Sequence, residues 1–411
     1  MSGQRPGAGE GHYAALPKPP PIPSGCAMNP IFANLPTSIF EVMSRLAATH
    51  KAVNLGQGFP DGEGPRDVLQ KAADMVVHGW NQYPPMMGMP ELRAAIAQHY
   101  QRFQGVTLDP ETEVMVTSGA TEAIAGALLA LIEPGDEVVL FQPMYDAYLP
   151  LVLRAGGIPK YVTLRPPHWG FDEADLAKAF SARTKAVLFN NPLNPCGIVY
   201  DRAQVELLAR FCVSHNAVAI CDEVWEHVIF DRRSHVTMLN IPGMRDRTVK
   251  IGSAGKIFSL TGWKVGLVAA APDLMRVLAK AHQYLTFTTP PSLQMAVAYG
   301  LGKDDAYFTG MRAGLQASRD HFSAGLVARG FRVLPSAGTY FVNIDIAGLG
   351  MGDDVAFCKR LVSAHGVAAI PVSAFYAESA VDHVVRFCFA KQAATLDAAL
   401  ARMDQIAPGK Y

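Results

Sequence analysis

An α/β fold is predicted for this chain: a large domain with a mostly parallel, seven-stranded sheet sandwiched by helices, followed by a smaller α+β domain. Three observations predict it. Seven short, nearly continuous apolar runs between about residues 113 and 270 alternate with helix-patterned segments, as expected of strands covered on both faces. The 411 residues exceed the roughly 250–300 at which a single core stops growing. Beyond about residue 300, shorter strands mix with helices.

The elements follow in order. Residues 1–28 are crowded with glycine and proline and hold little to bury, so a disordered tail with polyproline character is expected. A segment of residues 29–60 is expected to pack with the small domain. In it, Ile39, Phe40, Val42, Met43 and Leu46 give 39–48 a helical apolar spacing, leading into the glycine-rich turn Gly56-Gln57-Gly58. The large domain is assigned to 61–300, with strands at 113–117, 137–141, 159–164, 185–189, 217–221, 248–252 and 265–270. A long helical stretch is expected from Pro290 through Met311 toward His321. The small domain, 301–411, takes strands at 331–334, 340–346, 367–370 and 383–389 and helices at 354–364 and 395–407.

Composition narrows the partners. The 36 basic and 36 acidic residues cancel, leaving no electrostatic footprint for nucleic acid or an anionic membrane. Six cysteines form no CxxC pair, so reduced, packed thiols are expected and no metal. The longest apolar stretch, 123–132, is about half the ~20 residues that span a bilayer. A cytoplasmic protein acting on small molecules is the expectation.

Lys256 is the most informative residue. It lies in Gly252-Ser253-Ala254-Gly255-Lys256, with Gly262-Trp263-Lys264 beyond. A desolvated amine beside a second cation loses its proton readily and attacks carbonyls; a lone lysine after a strand is more commonly just solvated. In open α/β sheets ligands bind beyond the carboxyl ends of strands, and several of those ends carry polar chemistry. Ser118-Gly119-Ala120-Thr121-Glu122 opens a helix and offers a phosphate seat, or simply a cap. Tyr145 and Tyr148 follow the next strand and suit stacking on a heteroaromatic ring, or plain core packing. Asn190-Asn191-Pro192-Leu193-Asn194-Pro195 is a rigid loop holding amides, or a turn. Asp222 ends a buried strand and needs a positive partner: a protonated ring nitrogen, or a lysine or arginine. Arg386, inside an apolar strand, calls for a carboxylate from the protein or from a substrate.

Together these residues resemble the fold-type I, pyridoxal-phosphate-dependent class I aminotransferases, in the branch containing kynurenine/glutamine and methionine aminotransferases. The matching runs extend from about Asn34 to the C-terminus. They include Asn54-Leu55-Gly56-Gln57-Gly58-Phe59-Pro60-Asp61, Asn81-Gln82-Tyr83, Asn194-Pro195-Cys196-Gly197, Asp222-Glu223-Val224, Ser253-Ala254-Gly255-Lys256 and Arg386-Phe387-Cys388-Phe389. The resemblance implies that Lys256 carries the cofactor's aldehyde and acts as acid/base, that Asp222 pairs with the pyridinium nitrogen, and that Asn194 donates to the ring oxygen. It implies that Tyr145 stacks on the ring, and that Ala120, Thr121, Ser253, Lys264 and a second subunit's Tyr83 hold the phosphate. Arg386, with Gly58 and Asn194, would clamp the substrate carboxylate in a homodimer with shared active sites.

Two departures stand out. Trp225 occupies the position where the family usually has a tyrosine on the cofactor's phenolic oxygen; an indole N–H donates but cannot ionise. Thr288 stands where kynurenine-type relatives have a histidine. Phe40, Phe287 and Tyr340, with Tyr145 and Phe375, motivate an expected donor of methionine, glutamine, phenylalanine or kynurenine type, passing its amino group to a 2-oxo acid. The alternatives are a cysteine-conjugate β-lyase and an N-succinyl-diaminopimelate aminotransferase.

Overall fold

The computed structural model describes residues 28–350, 352–404 and 406. The expected tail, apart from Met28, and the helix end near 407 lie outside the described residues. The chain divides into a unit up to Pro36 and one from Thr37 onward. In the first, the Asn29 side chain caps a short helix, Pro30–Ala33, by accepting from the Ile31 N–H at 3.0 Å.

The second unit opens with a helix, Ile39–Thr49, started by the Ser38 hydroxyl. It buries Met43 and Ala47, four residues apart and so on one face. β1 (Val53–Asn54) follows. The large sheet is built from β2 (Val114–Thr117), β3 (Glu137–Gln142), β4 (Ile158–Thr163), β5 (Thr184–Asn190), β6 (Val218–Asp222), β7 (Thr248–Ser253) and β8 (Gly266–Ala270). All seven expected strands are present, in the order β2-β8-β7-β6-β5-β3-β4. β3 to β7 run parallel, and β8 runs against both neighbours. β2 therefore ends at the same edge as β7, which gathers the carboxyl ends of six strands.

The apolar runs read as strands because both faces are buried. Val138 and Leu140 pack with the helices Gly119–Leu131 and Pro272–Leu285, while Val139 and Phe141 pack into the opposite layer with Leu208 and Phe189. That is the two-residue alternation of a pleated strand.

The second sheet contains β9 (Arg332–Val333), β10 (Phe341–Asp345), β12 (Ile370–Pro371) and β13 (Val384–Cys388), antiparallel in the order β12-β13-β10-β9. Between β10 and β12 comes β11 (Val367–Ala368), which pairs in parallel with β1.

Two expectations are corrected. The strand expected at 367–370 is divided: the chain changes partner at Ala369, and β12 stops at Pro371, which has no N–H to extend a ladder. The long helix after Pro290 is two helices, Pro291–Leu301 and Asp305–Ala328. Gly302 follows the first, and the Asp304 side chain caps the second by accepting from the Tyr307 N–H at 3.1 Å. Local capping overrides an apolar periodicity that continues through the break.

Candidate active site

At the carboxyl edge of the large sheet lies a cavity of about 160 Å³, lined by Gly119, Ala120, Thr121, Tyr145, Asn190, Asn194, Asp222, Trp225, Ser253, Lys256 and Lys264, among others. Its floor is the start of helix Gly119–Leu131. Gly119 is left-handed at φ +78°, and a Cβ there would stand 3.1 Å from Lys264 Cε and 3.3 Å from its Nζ. Glycine thus lets the Lys264 ammonium come down beside the helix start. Ser118 makes no side-chain cap, so the first N–H groups of this helix are left for an anion rather than for a hydroxyl.

Asp222, at the end of β6, is buried. Burial pushes its carboxyl above the usual range, while the Tyr148 phenol, the Val224 N–H and the Lys256 charge pull it back. Tyr148 donates to Asp222 Oδ2 at 2.5 Å and Val224 N–H to Oδ1 at 3.3 Å. Asn190 braces the same strand end: its Nδ2 donates to the Asp222 carbonyl and its Oδ1 accepts from Asn194 N–H, each at 2.8 Å. The sequence marks Tyr148 as a ring over the crevice, whereas its hydroxyl grips Asp222. A hydrogen bond to a charged group contributes about 1.5–3 kcal/mol, so Tyr148→Phe is expected to lower cofactor affinity roughly tenfold or more. Titration of the apoprotein with cofactor checks this.

Lys256 follows β7. Burial lowers its amine to about 8, with Arg386 and Lys264 acting in the same direction and Cys388 and Asp222 opposing. The amine lies 4.7 Å from the centre of the Trp225 ring, which is packed edge-on to Tyr340. The Tyr340 hydroxyl donates to the Lys256 carbonyl at 2.9 Å; this tyrosine fixes the lysine's backbone instead of lining the cavity. A lowered pKa leaves the amine neutral, and so nucleophilic, above about pH 8. The rate at which apoprotein captures an aldehyde cofactor is therefore expected to rise with pH with a midpoint near 8, in stopped-flow absorbance, rather than near the ordinary lysine value.

A second cavity, of about 240 Å³, shares Tyr145, Asn194, Trp225, Lys256 and Thr261 with the first and adds Phe40, Gln57, Gly58, Phe59, Phe341 and Arg386. Lys256 stands in the wall between them. Arg386 donates to Asn194 Oδ1 at 3.0 Å and to the Gly56 carbonyl at 2.9 Å. Its guanidinium carbon is 3.9 Å from the Phe341 ring centre and 5.2 Å from those of Phe40 and Phe375, and its buried Nε has no hydrogen-bond partner among the described residues. None of these contacts is a carboxylate, so the fork is open to an external one. A Cβ on Gly58 would meet Phe341 Cζ at 2.8 Å, which explains glycine at this wall.

Tyr83 and Phe287 lie elsewhere. Both are exposed, their rings meet edge-on at 5.7 Å, and neither lines a cavity with Lys256 in this chain. Beneath Asp222 is a group that sequence reasoning missed: Lys250, fully buried, donates to Glu223 at 2.6 Å and Glu226 at 2.7 Å. A lysine inside the apolar run of β7 was its only signal. Burial opposes charge on Glu223, yet Lys250 and His235 bring its carboxyl down to about 2. This paired cluster anchors the turn that carries Asp222 and Trp225.

An amine of lowered basicity, set between an anion seat and a buried carboxylate on such a sheet, defines a pyridoxal-phosphate enzyme of fold type I. The donors fit the cofactor: helix N–H groups, Ser253 and Lys264 suit a phosphate, Asp222 a protonated ring nitrogen and Lys256 an aldehyde. The chain belongs to the family "Aminotransferase class I and II", whose model matches residues 50–403. It is similar to a probable N-succinyldiaminopimelate aminotransferase of Mycobacterium tuberculosis, 44% identical over 382 residues, covering 90% of this chain and 96% of the relative. It is also 41% identical over 372 residues to the methionine aminotransferase of Escherichia coli, covering 90% and 96%. The solved structure of N-succinyldiaminopimelate aminotransferase from Mycobacterium tuberculosis superposes with a TM-score of 0.90 at 44% identity, covering 93% of this chain and all of that one. The protein is thus a transaminase that acts on amino acids with pyridoxal 5'-phosphate.

Proposed function

We propose that the amino donor is an L-amino acid with an uncharged apolar, aromatic, thioether or amide side chain, of methionine, phenylalanine, kynurenine or glutamine type, and that a 2-oxo acid accepts the amino group. One observation carries this reading: among the described residues of this chain, Arg386 and Lys256 are the only cations lining the second cavity, and Phe40, Phe59 and Phe341 make up much of the remaining wall. Arg386 is committed to the α-carboxylate and Lys256 to the reacting end. An N-succinyl-diaminopimelate donor would need further cationic contacts for its two remaining carboxylates, one on the far end of the diaminopimelate and one on the succinyl group. Lys391, beside Phe59, is already held by the Phe59 carbonyl and Asp61, each at 2.9 Å.

The geometry supports the following residue roles. Arg386 and Asn194 orient the carboxylate, placing Cα over the wall where Lys256 stands. Tyr145 and Trp225, which line both cavities, would flank the bound cofactor and help exclude water. Lys256 would take the proton from the substrate Cα and deliver it to the cofactor's C4′ carbon, a task suited to an amine with pKa near the working pH. Asp222, held by Tyr148, would favour a positive charge on the ring nitrogen. When bound, pyridoxal phosphate supplies the electron sink that makes loss of the Cα proton feasible.

A homodimer is proposed with it. Val77, Trp80, Tyr83, Tyr284 and Phe287 are exposed apolar or aromatic residues, a surface of the kind that marks subunit contacts; it carries the Tyr83 assigned to a second copy's phosphate. A cytoplasmic location is supported by five described cysteines, all buried and free. The pairing of β1 with β11 supports packing of residues 37–60 with the small domain assigned to 301–411.

A donor panel tests the substrate reading. kcat/KM is expected to favour at least one of methionine, phenylalanine, glutamine and kynurenine over N-succinyl-diaminopimelate by roughly 100-fold, since a site without the matching charge leaves a desolvated carboxylate unpaired. The reverse preference would overturn it.

A further inference from the structure

The phosphate seat contains an apparent electrostatic conflict. Glu122 lies in the first turn of the very helix whose N-terminus faces the cofactor cavity, and its Oε2 accepts from the Ser118 N–H at 2.8 Å. The bond is useful, because it closes a turn that the Ser118 hydroxyl does not cap. The charge is not: a carboxylate here shares the positive end of the helix dipole with a phosphate dianion and repels it.

His282 resolves the conflict. This histidine, from helix Pro272–Leu285, is buried, and its Nδ1 stands 2.9 Å from Glu122 Oε1 while its Nε2 stands 3.1 Å from the Met86 carbonyl. A carbonyl only accepts, so Nε2 carries a proton. Nδ1 then meets a carboxylate oxygen, and a close contact requires a second proton between them, on the ring or on the carboxyl. Either way the pair holds one proton more than a neutral imidazole beside a carboxylate, and its net charge is zero. The same ring ties the helix start to Met86, in the segment that follows Tyr83. The His282 carbonyl also accepts from the N–H groups of Thr286 and Phe287, at 3.2 and 3.1 Å, fixing the turn on which Phe287 meets Tyr83.

We propose that His282 is a positioning residue for the cofactor's phosphate: it neutralises Glu122, so that Glu122 can close the phosphate-binding turn without repelling the phosphate. The proposal rests on the assignment of the phosphate to the Gly119–Thr121 turn and Lys264.

The readout is phosphate preference, the ratio of apoprotein affinities for pyridoxal 5'-phosphate and for pyridoxal, which lacks the phosphate. A general loss of packing lowers both affinities and leaves the ratio unchanged. In His282→Gln the side-chain amide can donate to Met86 but leaves Glu122 a half-buried carboxylate without a counter-charge, and the ratio is expected to fall about tenfold or more. In Glu122→Gln/His282→Gln the charge is gone while a carbonyl oxygen remains for the Ser118 N–H, and most of the ratio is expected to return. An unchanged ratio in His282→Gln, or no recovery in the double variant, would overturn the proposal. If His282→Gln folds poorly, Glu122→Gln alone decides: a ratio at or above wild type supports the proposal, and a reduced one refutes it. Lys264→Met separates the two readings. If it leaves the ratio unchanged, the phosphate assignment fails; if it lowers the ratio while His282→Gln does not, only the role of His282 fails.

Discussion

Lys256→Ala is expected to abolish both covalent cofactor retention and turnover, with kcat reduced by at least about 10⁴-fold, the upper range for a single general acid–base group. The size follows from two roles meeting in one amine. Among the described residues it is the only lysine lining both the cofactor-side and the substrate-side cavity, and burial lowers it to about 8. Wild-type protein treated with borohydride should carry the cofactor's mass on the peptide containing Lys256, and the variant should carry none. Because Tyr340 grips the Lys256 carbonyl rather than its side chain, the backbone is expected to keep its place and the variant to retain wild-type thermal stability. Loss of activity would then report chemistry, not unfolding. Turnover within tenfold of wild type would refute the assigned role.

Asp222→Asn is expected to lower kcat by roughly 10²–10³, in line with removal of one preorganised electrostatic contact at a reacting centre. The substitution keeps shape, and the amide oxygen can still accept from the Val224 N–H while the amide nitrogen donates to the Tyr148 hydroxyl in place of the bond it received, but no charge remains to favour a protonated ring nitrogen. Burial raises the Asp222 carboxyl, so the native group gains from a cationic ring partner while the amide does not. Steady-state kinetics with a good donor, combined with a cofactor titration, check this. A loss confined to cofactor affinity, with kcat unchanged at saturating cofactor, would show that Asp222 only binds.

The large sheet was legible because its strands are buried on both faces, so their apolar runs are nearly continuous and leave no helix-like reading. β3 and β8, buried at every residue, show it most clearly. Strand-end residues Asp222, Asn194 and Lys256 were legible because polar groups that follow buried strands have few places to go. The division at Ala369 was not, since which neighbour a short strand pairs with depends on contacts distant in sequence. The helix break at Gly302 was masked by apolar spacing that continues past it. Tyr148 and His282 were hidden for a related reason: their roles are set by hydrogen bonds to Asp222 and Glu122, 74 and 160 residues away. The exposed positions of Tyr83 and Phe287 likewise have no local signature, because a residue of the kind proposed to serve a second copy looks like any surface aromatic in its own chain.

A single-turnover half-reaction bears most directly on the proposed chemistry. Cofactor-loaded protein is mixed with L-methionine, with no oxo acid present, and cofactor absorbance and products are followed together. The expected result is conversion of the cofactor to its amine form with about one equivalent of the methionine-derived 2-oxo acid per site, no ammonia, and recovery of the starting spectrum when a 2-oxo acid is added. Continued release of ammonia without an acceptor, or no spectral change with methionine, phenylalanine, glutamine or kynurenine, would contradict it.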